Sequence, residues 1–125
     1  GFSNVFIGSA AGIDCTTGGA NTFLGTVAGQ NTTIGMSNVF IGSGCATNNI
    51  TGNNNVYIGN DAGYQNSLGS NNVFLGFRAG YNETGSGRLY IHNSESTRPL
   101  IYGEFGSRRL CINTRNTIDA GIAYT

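Results

Sequence analysis

Short apolar runs, each opened by an asparagine and closed by a glycine, set the pattern of the first part of the chain. The shared phrase is Asn-x-aromatic-aliphatic-Gly, and it recurs every 17 residues without insertion or deletion. A fixed short period indicates one supersecondary unit stacked on itself, because so small a unit cannot bury its apolar face alone. The copies begin at Asn4, Asn21, Asn38, Asn55 and Asn72.

Each copy predicts a short strand that is apolar on both sides. Side chains alternate along a strand, so Phe6 points to one side while Val5 and Ile7 point to the other. This pattern is typical of a strand that is covered on both faces. We expect one apolar column to fill the lumen of a parallel β-roll and the other to contact a second subunit. Either column could have either role. The aromatic column, a core or trimer-interface ladder, comprises Phe6, Phe23, Phe40, Tyr57 and Phe74.

The remainder of each coil predicts two turns and a second, weaker strand. The glycine after each strand and the small-residue pair that follows, such as Ala28-Gly29, indicate positive φ or close backbone approach. The second strand is expected to point one residue per coil inward, namely Thr17, Ile34, Thr51 and Leu68. We expect the repeated asparagines to cap a turn and to form a structural ladder between coils.

Composition and charge narrow the function classes. The chain has 125 residues, 21 of them Gly, and only 38% are hydrophobic, which is a thin supply for a globular core but enough for stacked coils. Six acidic residues balance six arginines, so no basic footprint for nucleic acid is present. The sequence has no apolar run of membrane-spanning length, and we expect no membrane insertion within this segment. Since it has neither a signal peptide nor an initiator Met, we expect it to be a piece of a longer protein.

The pattern changes near Gly85-Ser86-Gly87, where the repeat ends and the charged residues concentrate. We therefore divide the chain into a repeat β-roll, residues 1–85, and a β-rich cap or trimerisation segment, residues 86–125. Three short β-prone runs are predicted in the second part. They are Leu89–Ile91, Leu100–Tyr102 with Pro99 at its start, and Leu110–Ile112.

Nothing in the residues predicts catalysis, a metal site or a cofactor. Cys15, Cys45 and Cys111 share no metal-ligand spacing, and Cys45 replaces an alanine of the repeat, so a small buried residue is expected there. His92 has no partner in a recognisable motif. The charged residues after the repeat predict inter-subunit salt bridges, with a carbohydrate or anion site as the alternative. They are Arg78, Arg88, Arg98, Arg108, Arg109, Glu83, Glu95 and Glu104.

The repeat resembles two groups of fibrous proteins. The phrase and the following Ala-Gly are similar to the head repeats of trimeric autotransporter adhesins. Residues 71–82, Asn-Asn-Val-Phe-Leu-Gly-Phe-Arg-Ala-Gly-Tyr-Asn, resemble the Gly/Asn-rich repeats of bacterial surface proteins and phage tail fibres. The runs Arg88–Ile91, Arg98–Phe105 and Arg109–Asn113 resemble the segment after such repeats in tail-fibre-like proteins ending in a self-cleaving chaperone domain. The resemblance implies a left-handed parallel β-roll that packs as a homotrimer, although the period here is longer than that of the adhesin head motif.

The sequence is compatible with three functions from different classes. The first is a non-enzymatic segment of a trimeric extracellular fibre, on a cell surface or a phage virion, that attaches to a host-surface glycan or protein receptor. The second is a monomeric solenoid that binds ice or another flat lattice through stacked threonines, although its row is broken. Its candidate pairs are Cys15/Thr17, Thr32/Ile34, Asn49/Thr51 and Asn66/Leu68. The third is a solenoid polysaccharide-degrading enzyme, for which the repeat offers no cluster of carboxylates.

Overall fold

The structure is a computed structural model that describes residues 1–112 as one eight-stranded sheet. The strands lie across the sheet in chain order. Their bounds are β1 Val5–Ile7, β2 Thr22–Leu24, β3 Val39–Ile41, β4 Val56–Ile58, β5 Val73–Leu75, β6 Arg88–Ile91, β7 Ile101–Glu104 and β8 Arg109–Ile112. The described part contains no helix of the length and hydropathy that a bilayer crossing requires. The predicted all-β solenoid of five coils, with a spacing of about 17 residues, is confirmed.

Strands β1 to β5 stack in parallel and in register with the repeat. Each residue of the phrase pairs with its equivalent in the next coil, so that Phe6 lies beside Phe23 and Phe23 beside Phe40. Strand β6 continues the stack, but Leu89 pairs with Val73, which makes the fifth coil one residue shorter than the others. One residue-for-residue register therefore runs through the whole repeat and into the next strand.

The aromatic column fills the lumen of the roll. Neighbouring rings along this column stack with their centroids 4.5 to 5.1 Å apart. All of its rings except that of Phe6, in the first coil, are fully buried. Tyr90 closes the column by meeting Phe74 edge-on at 5.3 Å. The aromatic ladder is therefore the core, and the aliphatic residues on either side of each ring lie on the outside of the sheet.

Glycines make this narrow lumen possible. A Cβ atom on Gly29 would lie 2.6 Å from the ring of Phe23, so no side chain fits opposite the ring. Gly25 has a φ of +141°, and a Cβ atom there would lie 2.4 Å from the carbonyl oxygen of Gly42 in the next coil. The predicted need for positive φ or close backbone approach is confirmed at these two positions.

The second strand predicted in each coil does not form. The carbonyl oxygen of Thr33 accepts hydrogen bonds from all three backbone N–H groups of residues 16–18, so the donors converge on one acceptor instead of alternating along a ladder. The side chains of Thr32, Asn49 and Asn66 are buried at this point of the coil. The predicted inward residues were wrong, because the buried side chains lie two positions earlier in the coil. The residues that were expected to point inward are all at least partly exposed: Thr17, Ile34, Thr51 and Leu68.

Several described residues other than glycine have a positive φ, and Val27 is the β-branched one among them. Val27 has a φ of +52°, a left-handed conformation that costs an L-residue about 1–2 kcal/mol and suits a β-branched side chain least. Because asparagine tolerates this conformation, we expect Val27→Asn to raise the free energy of unfolding by about 1 kcal/mol in a denaturant titration. The neighbouring Thr26→Asn, at an exposed residue with an ordinary φ, serves as the control and should change little. A lower free energy of unfolding for Val27→Asn would contradict this account of the turn.

The residues after the repeat extend the sheet by an antiparallel hairpin. Strand β6 pairs in parallel with β5, whereas β7 pairs antiparallel with both β6 and β8. All three β-prone runs contain strands, but the middle one begins at Ile101 because the N–H of Leu100 donates to Nδ1 of His92 at 3.2 Å. The sheet is continuous across the division predicted between residues 85 and 86. The end of the predicted C-terminal region, from Asn113 onward, lies outside the described residues.

Candidate functional site: the outer face of the sheet

Two aliphatic columns cover the outside of the sheet from β1 to β6. They arise because the residues before and after each buried aromatic point away from the lumen. We call this surface the outer aliphatic face, and none of its members is buried. It consists of Val5, Thr22, Val39, Val56, Val73 and Leu89 in one column, and of Ile7, Leu24, Ile41, Ile58, Leu75 and Ile91 in the other.

The outer aliphatic face is contiguous, and its members are all apolar except Thr22. Ile7 is 58% exposed, Val5 50% and Leu24 43%. Six strands at about 4.8 Å spacing give the face a length of roughly 24 Å and an apolar area on the order of several hundred Å2. A patch of this size on a folded chain is typical of an interaction surface. Since almost all of its side chains are apolar, the face suits packing against another surface.

The asparagines that open the repeats form a continuous ladder beside the core. Oδ1 of Asn21 accepts the backbone N–H of Asn38 at 2.9 Å, and Nδ2 of Asn21 donates to the carbonyl of Gly35 at 2.8 Å. The same two bonds recur at Asn38 and Asn55. Each amide therefore joins its own coil to the next, mainly through the backbone. Asn4 is half-buried, and the other members are fully buried: Asn21, Asn38, Asn55 and Asn72.

Arg88 ends this ladder, which the sequence did not predict. It occupies the place of the next asparagine, and its N–H donates to Oδ1 of Asn72 at 2.8 Å. Its guanidinium instead pairs with Glu104 of β7 at 3.1 Å. The shorter fifth coil concealed this equivalence, although Leu89-Tyr90-Ile91 preserves the phrase of the repeat. The side chain that terminates the ladder thus fastens the hairpin to the solenoid.

The residue pairs considered for a threonine row do not share one surface. Thr32, Asn49 and Asn66 point into the roll, and their partners two residues later point out. The hydroxyl of Thr33, outside these pairs, donates to the carbonyl of Ile50 in the next coil at 3.2 Å. These residue pairs therefore do not form a threonine row on one surface. Binding to ice or to another lattice stays an untested prediction.

The charged residues of the later coils and the tail pair within the chain. Glu95 lies one 17-residue period after Arg78, and the antiparallel pairing of β6 with β7 sets Glu104 beside Arg88. The bridges expected between subunits stay a prediction. Hydrogen bonds from Ser107 and Tyr102 lower the pKa of Glu104. Ion pairs among the described residues are Arg78–Asp61 at 3.4 Å, Arg78–Glu95 at 3.0 Å, Arg88–Glu104 at 3.1 Å and Arg109–Glu104 at 3.7 Å.

The cysteines and the histidine have structural surroundings. Cys45 is buried, its thiol donates to the carbonyl of Tyr57 at 3.3 Å, and burial raises the pKa of the thiol. Cys15 and Cys111 form no disulfide. His92 accepts the N–H of Leu100 and so closes the loop between β6 and β7. Residues 1–112 contain no group of three or more His, Cys, Asp or Glu side chains arranged to hold a metal ion.

Comparisons of the chain with protein-family models, with curated proteins and with solved structures find no match.

Proposed function

We propose that this chain is a non-enzymatic segment of a homotrimeric extracellular fibre, of the surface-adhesin or phage tail-fibre kind, that serves attachment to a host or surface. The observation that supports the proposal is the outer aliphatic face, which leaves two apolar columns uncovered along six strands. Neighbouring copies would cover it and remove that area from water, a gain of about 25 cal/mol for each Å2 buried. The resemblance of the repeat to trimeric adhesin heads and tail fibres favours three copies.

The rod shape also favours this function. Each coil advances the stack by about 4.8 Å, so length grows with repeat number while the cross-section stays constant. Fibres need this property, and compact enzymes do not. The intrachain bonding of the buried asparagines accounts for the repeat without a bound ligand, since every copy of Asn makes the same contacts to the next coil.

Sedimentation velocity of the full chain tests the assembly. We expect a trimer at micromolar concentration, and we expect Ile58→Glu to convert it to monomer, because a carboxylate placed in an apolar contact costs several kcal/mol. Ile58 is 41% exposed and lies on the outer aliphatic face. The matched control is Leu68→Glu, at a residue that is 64% exposed and lies off that face. A wild-type chain that sediments as a monomer would sink the proposal.

A further inference from the structure

The fourth and fifth coils carry a pair of stacked tyrosines on the turn after the strand. The rings of Tyr64 and Tyr81 are parallel within 4° at a centroid distance of 5.1 Å, and both are only partly buried. The same turn position holds Ile13, Gln30 and Thr47 in the first three coils. The fold therefore does not require an aromatic residue there, and the tyrosines are a local departure from the repeat.

The guanidinium of Arg78 lies near two aromatic rings and pairs with two carboxylates. The guanidinium carbon of Arg78 lies 5.4 Å from the ring centroid of Tyr81 and 5.3 Å from that of Phe77. Asp61 from the preceding coil and Glu95 from the loop after β6 fix its orientation. Phe77 is 49% exposed, at a turn position that is Ser9 in the first coil and Ser43 in the third. The other two coils have Thr26 and Asn60 there, so an exposed phenylalanine in place of a small polar residue is a second departure from the repeat.

A small cavity of about 120 Å3 adjoins Tyr81, and its walls include Asn82, Glu83, Glu95 and Thr97. The carboxylate of Glu83 is preorganised, because it accepts the N–H of Gly85 at 2.7 Å and the hydroxyl of Tyr90 at 2.9 Å. Carboxylate oxygens accept more than one hydrogen bond each, so the cavity offers acceptors beside an aromatic ring. Its volume admits part of one small ring compound or a few water molecules.

We infer that this surface, formed by Tyr64, Phe77, Arg78 and Tyr81 together with the adjoining cavity, binds a neutral hexose unit of a glycan. Pyranose rings present C–H groups on one face, which pack on aromatic rings, and hydroxyl donors at their edges, which suit carboxylate and amide acceptors. The carboxylates of Asp61, Glu83 and Glu95 outnumber the guanidinium of Arg78 around this surface. Such a field disfavours sialic and uronic acids, so the ligand is a neutral sugar.

This inference rests on the proposed function and specifies the class of receptor to which the fibre attaches. The aromatic cluster lies on turn residues outside the strand positions that form the outer aliphatic face. Covering that face by other copies therefore does not require burying the cluster. Three copies would also present the cluster three times, which strengthens attachment to a multivalent glycan surface.

The test applies the full chain to immobilised oligosaccharides of glucose, galactose, mannose and N-acetylhexosamines, with sialylated and uronic-acid glycans alongside. We expect retention on a subset of the neutral glycans, and an affinity at least about tenfold lower for Tyr81→Gln and Phe77→Ser. Both replacements put in a residue that the repeat itself uses at that position, so the fold should persist. Ile13→Gln, the same turn change in the first coil, is the control and should bind as wild type does.

The inference is overturned if the wild-type chain binds no neutral glycan, prefers anionic glycans, or binds equally well after Tyr81→Gln and Phe77→Ser. Loss of cell attachment in these variants without any glycan binding would overturn it in favour of a protein receptor. Sedimentation of the same samples separates this failure from that of the proposed assembly. A trimer without glycan binding refutes the sugar site alone, whereas a glycan-binding monomer refutes the trimeric fibre alone.

Discussion

Replacing Asn38 by leucine is expected to lower the free energy of unfolding by about 4 kcal/mol. Leucine has a similar volume, but it removes the acceptor for the N–H of Asn55, which opens the next coil, and the donor for the carbonyl of Gly52, three residues before it. These groups are buried, and each buried polar group left without a partner costs about 1–3 kcal/mol. Denaturant titration at fixed protein concentration measures the loss, and hydrogen exchange should locate it at the Asn55 amide.

The matched control is Asn60→Leu, which makes the same chemical change on an exposed turn residue. It should alter the free energy of unfolding by less than about 0.5 kcal/mol. Equal effects of the two substitutions would show that the amide ladder contributes no more than a surface asparagine does. In that case the repetition of this residue would need another explanation.

Phe40→Ala is expected to lower the free energy of unfolding by about 3–5 kcal/mol. The ring is fully buried in the middle of the column and stacks on Phe23 at 4.8 Å and on Tyr57 at 5.1 Å. Truncation leaves a cavity that the narrow roll cannot close, because the backbone on both sides is fixed by bonds to the neighbouring coils. Circular dichroism during denaturation gives the value.

Phe77→Ala is the matched control for Phe40→Ala, because it makes the same substitution at a phenylalanine that is half exposed on a turn. Its effect on stability should stay within about 0.5 kcal/mol. A small loss for Phe40→Ala would contradict the assignment of the aromatic column to the core. The intermediate variant Phe40→Leu should fall between wild type and Phe40→Ala, because it restores part of the removed volume.

The sequence predicted the strands of the repeat and their register, because the period fixes which residues become neighbours. It did not distinguish the lumen from the outside, since Val39, Phe40 and Ile41 are all apolar. The information was present in Gly29 and its equivalents. A glycine opposite the strand leaves room for a large ring, and the structure places this glycine against Phe23. A small residue facing an aromatic one is thus the signal that identifies the inside of so thin a roll.

The second half of the coil was misjudged because hydrophobicity was taken as the guide to burial. Ile34 and Leu68 are apolar and yet exposed, whereas Asn49 and Asn66 are polar and buried. In this half of the coil the buried amides bond to backbone carbonyls: Nδ2 of Asn49 donates to the carbonyl of Asn66 at 3.3 Å, and Nδ2 of Asn66 to that of Gly85 at 3.0 Å. Polar interiors of this kind are not visible in a pattern of apolar positions.

The aromatic cluster of the later coils was hidden for a different reason. Tyr64 and Tyr81 stand at equivalent positions, so the period makes them neighbours, but the other coils have Ile13, Gln30 and Thr47 there and the position shows no conserved pattern along the repeat. Asp61, Arg78 and Glu95 follow one another at the 17-residue period, so their side chains meet in successive coils. The period contained these contacts, but the opposite charges were not compared from coil to coil.

The asparagine ladder has a consequence for how such a chain changes over generations. Because every coil completes the bonds of the previous one in the same way, a 17-residue unit is exchangeable with any of its copies. Unequal recombination between repeats therefore lengthens or shortens the rod in steps of about 4.8 Å and leaves no mismatched seam. The hairpin fastened by Arg88 stays outside this exchange. The number of coils can therefore change while the hairpin stays the same.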